Sequence, residues 1–373
     1  MPRVIGIDPG TVSVDLCGLD DGRLFLDRSL PTSEALANPS VLVGLLDAAA
    51  PLDVVAGPSG YGLPLTAARD LTDDDLRLAY LAADGESGGI GGLRSLMRAL
   101  ARSATPVVLT PGVVHLTSVP DCRKVNRVDM GTADKVCAVA LAVREQTERR
   151  GCAERGVSFI LLELGGAFTA VLAVDGGRIV DGLGGSSGPL GLRAAGALDG
   201  EVAFLAGRVT KQLLFSGGAS TIAGMPGASV EALVSAKTPR GQLAWEAYME
   251  SALKAVASLA VSAPHAREII VSGRLALVAG VRDEFARRLA AVHVAQGFRP
   301  ASGVAAPSVH VLRGFATMAS QAAQGAALIA DGLAGGRSSA LVETLGIREA
   351  CGSALDHLYV IDPAAARARL GID

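Results

Sequence analysis

Two stretches of this chain, beginning at Val4 and at Ser158, run through the same succession: apolar strand, glycine turn, strand, Asp-Gly or Gly-Gly turn, strand. In the first, Val4–Asp8 is apolar, Pro9-Gly10-Thr11 turns and Ser13–Leu19 alternates; Asp20-Asp21-Gly22 brings hairpin chemistry and Arg23–Leu30 alternates again. In the second, Ser158–Leu164, Gly165-Gly166, Thr169–Val174, Asp175-Gly176-Gly177 and Arg178–Leu183 take the same places. The copies share pattern and little identity, and such a repeat predicts two similar units. Length agrees, because 373 residues exceed one ordinary core.

Between and after these stretches the pattern alternates. Helices are predicted over Ser40–Ala49, from Thr72 to about Ala83, over Leu93–Arg102 and over Thr132–Arg149, with strands at Asp53–Ala56 and Pro106–Leu109. Gly85–Gly92 reads as a flexible glycine-rich stretch. The second half adds helices near Leu198–Arg208, Gly241–Ser262, Arg282–Val292, Ala316–Ala330 and Pro363–Leu370, and strands at Glu268–Val271 and Ser308–Leu312. The expected class is α/β, with mixed sheets flanked by helices.

Composition narrows the partners. A formal charge of −3 shows no basic surplus of the kind a nucleic-acid surface carries. The five cysteines are scattered without a C-x-x-C pair, and the five histidines lack metal-ligand spacing, so reduced thiols and no zinc site are expected. The N-terminus starts directly on a strand, and runs such as Val136–Val143 are too short to cross a bilayer. No membrane partner and a cytoplasmic location are therefore expected.

The glycine turns carry the chemistry. In Ile7-Asp8-Pro9-Gly10-Thr11-Val12-Ser13 a strand ends on a carboxylate and is followed by a glycine and two hydroxyls. Gly10 lets backbone N–H groups approach an anion, Thr11 and Ser13 donate, and Asp8 can hold Mg²⁺. A plain hairpin turn uses the same residue types. Glu163-Leu164-Gly165-Gly166 stands in the same setting, and two such loops gripping a triphosphate supply each other's context.

With Ile269-Ile270-Val271-Ser272-Gly273 and the Ala/Gly helix near Gly325, these loops resemble the superfamily of acetate and sugar kinases, heat-shock chaperones and actin. The resemblance implies two ribonuclease H-like (actin-like ATPase) domains with a nucleotide cleft between them. Domain I would span residues 1–140 plus 316–373 and domain II residues 141–315, with ATP and Mg²⁺ bound. It places Gly10, Thr11, Ser13, Glu163, Gly165 and Gly166 on the phosphates, and Ser272 and Gly273 on the adenosine. Leu164-Gly165-Gly166 through Asp175-Gly176-Gly177-Arg178-Ile179-Val180-Asp181 is similar to the second phosphate segment of acetate and butyrate kinases. Gly191-Leu192-Arg193-Ala194-Ala195-Gly196-Ala197-Leu198-Asp199 is similar to their arginine-bearing stretch, which points to Arg193 as support for the transferring group. Through Arg127-Val128-Asp129-Met130-Gly131-Thr132-Ala133-Asp134-Lys135 the chain also resembles a family labelled predicted butyrate kinase. Glu163 stands where those kinases have His, Met130 replaces the His of their His-Gly-Thr, and Gly57-Pro58-Ser59-Gly60 replaces a His-Gly-Gly.

The segment Asp121–Lys135 is the densest polar run and holds two of the five lysines. Cations beside a phosphate cleft would offset charge building on the transferring group; a solvated loop capped into a helix by Asp129 or Thr132 is the other reading. Asp8, Arg193, Asp129 and Lys124 are the expected catalytic residues. Arg127, Gly131, Thr132, Asp134, Lys135, Ser216 and Gly217 are the expected acceptor contacts, although Ser216-Gly217-Gly218 would also suit a helix N-cap. The expected activity is transfer of phosphate from Mg-ATP to a small-molecule acceptor, with a short-chain carboxylate as the class the resemblance points to. An ATP-switched regulatory protein of the same fold is the alternative, and a homodimer is left open.

Overall fold

The computed structural model describes residues 1–58, 60–83, 85, 92–295 and 307–372. Two compact units make up the chain. Unit 1 comprises Met1–Val157, Gly177–Ile179 and Arg313–Asp373, and unit 2 comprises Ser158–Gly176 and Val180–Leu312. The divisions at Val157 and Leu312 replace the expected ones near 140 and 315. The helix Ala133–Arg150 packs on the helix Gln321–Leu333 and so stays whole within unit 1.

Unit 1 is built on β1 (Arg3–Pro9), β2 (Ser13–Asp20), β3 (Arg23–Pro31), β4 (Val54–Pro58), β5 (Thr66–Ala67) and β6 (Val107–Thr110). They lie in the order β3-β2-β1-β4-β6-β5, with β1-β2-β3 antiparallel and β1, β4 and β6 parallel. β1 lies between two neighbours, and its apolar run Val4–Ile7 is buried without alternation. Asp21 and Gly22, at φ 48° and 74°, close the β2–β3 hairpin in the left-handed conformation that Asp-Gly favours.

Unit 2 repeats the plan with β7 (Phe159–Leu164), β8 (Thr169–Asp175), β9 (Arg178–Leu183), β10 (Glu268–Ser272) and β11 (Ser308–Val311). Their order, β11-β10-β7-β8-β9, is that of β6-β4-β1-β2-β3 strand for strand. Parallel β10 and β11 stand where β4 and β6 stand in unit 1. Gly176 and Gly177, at φ 57° and 73°, turn the β8–β9 hairpin as Asp21-Gly22 turns the first. Each unit has its own core, around Ile5, Leu16, Leu46 and Leu96 in unit 1 and around Leu162, Val171, Tyr248 and Phe285 in unit 2.

A helix starts at Thr72 as expected, and there Thr72 caps the helix Asp73–Tyr80 in a full capping box with Asp75. The helix expected over Ala316–Ala330 starts only at Gln321, because the preceding N–H groups bond to side chains instead. The helix expected near Leu198–Arg208 is confined to Gly200–Leu205. Short helices at Thr32–Ala37, Ala219–Ile222 and Ser339–Leu345 carried no strong sequence signal. Most of the stretch Gly85–Gly92 and Ser59 lie outside the described residues. No helix among the described residues is long and apolar enough to cross a membrane.

Candidate functional site

In unit 1 the β1–β2 turn is closed from within. The Gly10 N–H donates to the Ser13 carbonyl at 2.9 Å, so it is spent on the turn. Thr32 pins the loop from outside, its N–H to Val12 O at 3.0 Å and its hydroxyl to Gly10 O at 2.8 Å. Among the described residues none accepts from the N–H of Thr11 or Val12. Those two adjacent donors at a strand end are what the loop offers a phosphate.

Asp8, at the end of β1, accepts the Ser320 hydroxyl at 2.7 Å. Loss of hydration pushes its carboxyl up to about 7, reinforced by the charge of Asp134 and opposed by the Ser320 hydrogen bond and by Lys135. Opposite it in the hairpin register stands Asp15, buried and held by Ser13 Oγ at 3.2 Å and Ser29 Oγ at 2.5 Å. Burial also opposes the charge on Asp134, but Lys135 Nζ at 2.5 Å and the Thr132 hydroxyl outweigh it and hold that carboxyl below its usual range. Thr132 therefore sits at the N-cap of the helix Ala133–Arg150 while its hydroxyl serves Asp134 and caps no backbone donor. Ala133 N–H bonds to Gly60 O and Gly131 O accepts from Val113, which ties this helix start to the segments that follow β4 and β6. Open parallel sheets present ligands at such carboxyl ends.

Lys124, Arg127 and Asp129 of the polar run have partners of their own. Lys124 is buried, and the carboxylate of Asp121 lies 3.9 Å from its ammonium. Arg127 N–H closes a turn onto Lys124 O, and the neighbouring Asn126 side chain accepts from the N–H groups of Tyr359 and Val360. Asp129 is buried and accepts from Gly131 N–H at 3.3 Å. Lys135, and not Lys124, is the lysine whose charge acts on Asp8.

In unit 2 the β7–β8 turn repeats the closing hydrogen bond of the first. Gly165 N–H donates to Phe168 O at 3.0 Å, and no described residue accepts from Gly166 or Ala167 N–H. The Ala167 carbonyl is pinned by the N–H groups of Arg193 and Ala194, as Thr32 pins the other loop. Glu163 takes the place of Asp8 and pairs in register with Ser272. Ser272 Oγ is buried without a partner. Gly273 sits at φ 86°, where a Cβ would meet Leu164 O at 2.4 Å, so glycine is required. Gly218 N–H bonds Arg193 O and Gly217 bridges Ala194, bringing exposed Arg193 and Gly217 beside the loop. Gly218 caps the helix Ala219–Ile222, while the Ser216 hydroxyl is given to Leu213 O.

Sequence reasoning missed Asp15, Thr32, Ser320 and Arg274. Arg274 lies beside Gly166, with its Cδ 3.7 Å from where a Cβ would be, and follows Ser272-Gly273 directly. Asp15 could have been found by counting the hairpin register across from Asp8.

For Mg²⁺ the donor set fits. Asp8 and Asp134 offer carboxylate oxygens beside the hydroxyls of Ser320 and Thr132, all hard ligands. Among the described residues no group of three or more His, Cys, Asp or Glu could hold a metal ion. Magnesium asks for fewer, being commonly held by one or two carboxylates with water and phosphate completing its shell.

The family model described as protein of unknown function (DUF1464) matches residues 6–360. No curated protein matches the sequence. Among solved structures, the acetate kinase from Entamoeba histolytica is similar at 11% identity and TM-score 0.55, over 83% of this chain and 95% of that one. A propionate kinase from Francisella tularensis is similar at 13% identity and TM-score 0.56, over 87% and 99%. A ROK family protein from Streptococcus pneumoniae, solved in complex with sucrose, is similar at 13% identity and TM-score 0.50, over 87% and 96%. Together with the duplicated sheet these likenesses show the fold, that of the two-domain actin-like ATPases.

Proposed function

From a chain that belongs to the family described as protein of unknown function (DUF1464) and has the actin-like ATPase fold, we infer an Mg²⁺-ATP-dependent phosphotransferase acting on a small molecule. The acceptor class we propose is a short-chain carboxylate. The observation that carries this reading is the repeated turn: each unit closes a strand end on glycine and leaves two adjacent N–H donors without an acceptor among the described residues, beside Asp8 in one and Glu163 in the other. Oriented N–H pairs of this kind suit phosphate oxygens.

In this reading Asp8 and Asp134 hold Mg²⁺, whose charge when bound offsets that of the phosphates. Lys135 keeps Asp134 ionised and Ser320 orients Asp8. Gly166 and Ala167 donate to phosphate, Arg193 supports the transferring group, and Ser272 and Gly273 meet the adenosine. An acceptor oxygen forms the new bond to the γ-phosphorus as the bond to the bridging oxygen breaks and ADP leaves. A carboxylate brings no proton to be removed, so this chemistry asks for no general base. The acetate and propionate kinases among the structural neighbours point to the same acceptor class.

Two experiments test the reading. Asp8→Ala should abolish the rise in thermal stability that Mg-ATP gives the wild-type protein, and an unchanged rise sinks the loop assignment. A screen of acetate, propionate, butyrate, sugars and simple alcohols, followed by ADP release, should show turnover above the basal rate with a carboxylate. If no acceptor raises it, an ATP-switched binding protein replaces the phosphotransferase.

A further inference from the structure

The chain between β11 and the helix Gln321–Leu333 has no regular structure, yet its N–H groups from Arg313 to Ala319 are all engaged. Arg313 and Gly314 N–H donate to Glu145 Oε2 at 3.0 and 3.2 Å. Phe315 and Ala316 N–H donate to Gln324 Oε1 at 2.7 and 3.1 Å. Thr317, Met318 and Ala319 N–H donate to the Asp27 carboxylate at 2.9, 3.1 and 2.7 Å, and the Thr317 hydroxyl adds a fourth bond at 2.9 Å. Every N–H from Arg313 to Ala319 is thus held by a side chain. The next residue is Ser320, whose hydroxyl accepts from Ala323 N–H at 3.1 Å and donates to Asp8 at 2.7 Å.

We propose that Asp27 is a positioning residue for the Asp8 site: its grip on Thr317–Ala319 sets where the Ser320 hydroxyl stands, and through it the rotamer of Asp8. The inference rests on the Mg-ATP reading above. Asp27 lies on β3, two strands away from Asp8, so it acts only through this strap. Of the three side chains that hold the strap, it takes the N–H groups immediately ahead of Ser320. Side-chain packing offers little replacement, since Met318 is 61% exposed. A carboxylate gathering four donors fixes a loop more firmly than neutral hydrogen bonds would. Orienting a metal-holding carboxylate through its outer partner is a recurrent way of setting metal affinity.

The test is Mg²⁺ titration at fixed ADP, read as the shift in melting temperature, with the melting temperature of the nucleotide-free protein measured alongside. Asp27→Ala should raise the Mg²⁺ midpoint about tenfold. Glu145→Gln loosens the other end of the strap; it should lower the nucleotide-free melting temperature and leave the midpoint within about twofold. If Asp27 acts through Ser320, the double variant Asp27→Ala/Ser320→Ala should show the same midpoint as Ser320→Ala alone, whereas independent effects would multiply. Asp27→Asn keeps one acceptor oxygen and should fall between wild type and Asp27→Ala, so the inference stays testable if the alanine variant does not fold. An unchanged midpoint in Asp27→Asn or Asp27→Ala, or multiplying effects, overturns it. Wild-type protein that ignores Mg-ADP would instead sink the phosphotransferase reading, and this inference with it.

Discussion

Asp8 keeps its proton to about pH 7, far above the range in which an unfolded aspartate loses it, because burial and Asp134 both act against its charge. The folded state therefore binds one proton more than the unfolded state between the two values, and stability held at low pH is lost as pH rises through about 7. In chelator, Asp8→Asn should remove that loss and make the protein more stable than wild type at pH 8 by about 1–2 kcal/mol, discounted for the water that still reaches the site. Thermal denaturation from pH 4 to 8 checks this, and parallel pH profiles for the two proteins would refute it. Asp134 works in the opposite sense: its depressed carboxyl contributes stability above its ordinary titration range, lost as pH falls through its lower folded value. At this scale Asp8, Thr132, Asp134 and Lys135 were legible because each stands at the end of a strand or the start of a helix. Ser320 and Asp27 were not, since only tertiary packing brings them to Asp8 and to the strap. Lys124 was read toward the site as a cation of the dense polar run, and Asn126 fastens that turn to the chain at Tyr359 and Val360.

The helix Gln321–Leu333 packs between β1 and the helix Ala133–Arg150 in unit 1. A Cβ at Gly325 would fall 1.7 Å from the Cys137 carbonyl, and one at Gly6 would fall 2.1 Å from the Ala327 nitrogen. Backbone thus meets backbone on both sides of this helix, and no side chain can rotate away. Gly325→Ala and Gly6→Ala should each cost about 3 kcal/mol or more, at the upper end of overpacking effects, measured by denaturant melts. A loss below 1 kcal/mol in either would show that the helix can shift. Thr72→Ala, which removes one capping box on the surface, should cost only about 1 kcal/mol. The Ala/Gly richness around Gly325 was visible in the sequence, and so was the helix start at Thr72. The start of the helix was misplaced at Ala316 because the donors that would begin it are taken by Asp27 and Gln324, partners that local pattern does not reveal.

Across the whole molecule one sheet plan appears twice, and the second copy lies within the sequence of the first. The duplication was readable because hairpin turns are local chemistry; the matching strand order was not, since parallel neighbours are joined through distant helices. With its own core around Tyr248 and Phe285, the fragment 158–312 should fold alone and melt cooperatively by circular dichroism. A fragment without a cooperative transition would mean that the inserted copy borrows its stability.

The nesting also sets an order of birth. β1 is made before the inserted copy, but the helix that covers Gly6 is made roughly 300 residues after β1. At cellular synthesis rates of about 5–20 residues per second, the inner face of the first sheet waits about 15–60 seconds for its cover, while the inserted copy is already complete. The part of the protein proposed to hold the metal thus closes only after the inserted copy has been made, and the nascent chain must keep an apolar sheet from pairing wrongly until the helix Gln321–Leu333 arrives.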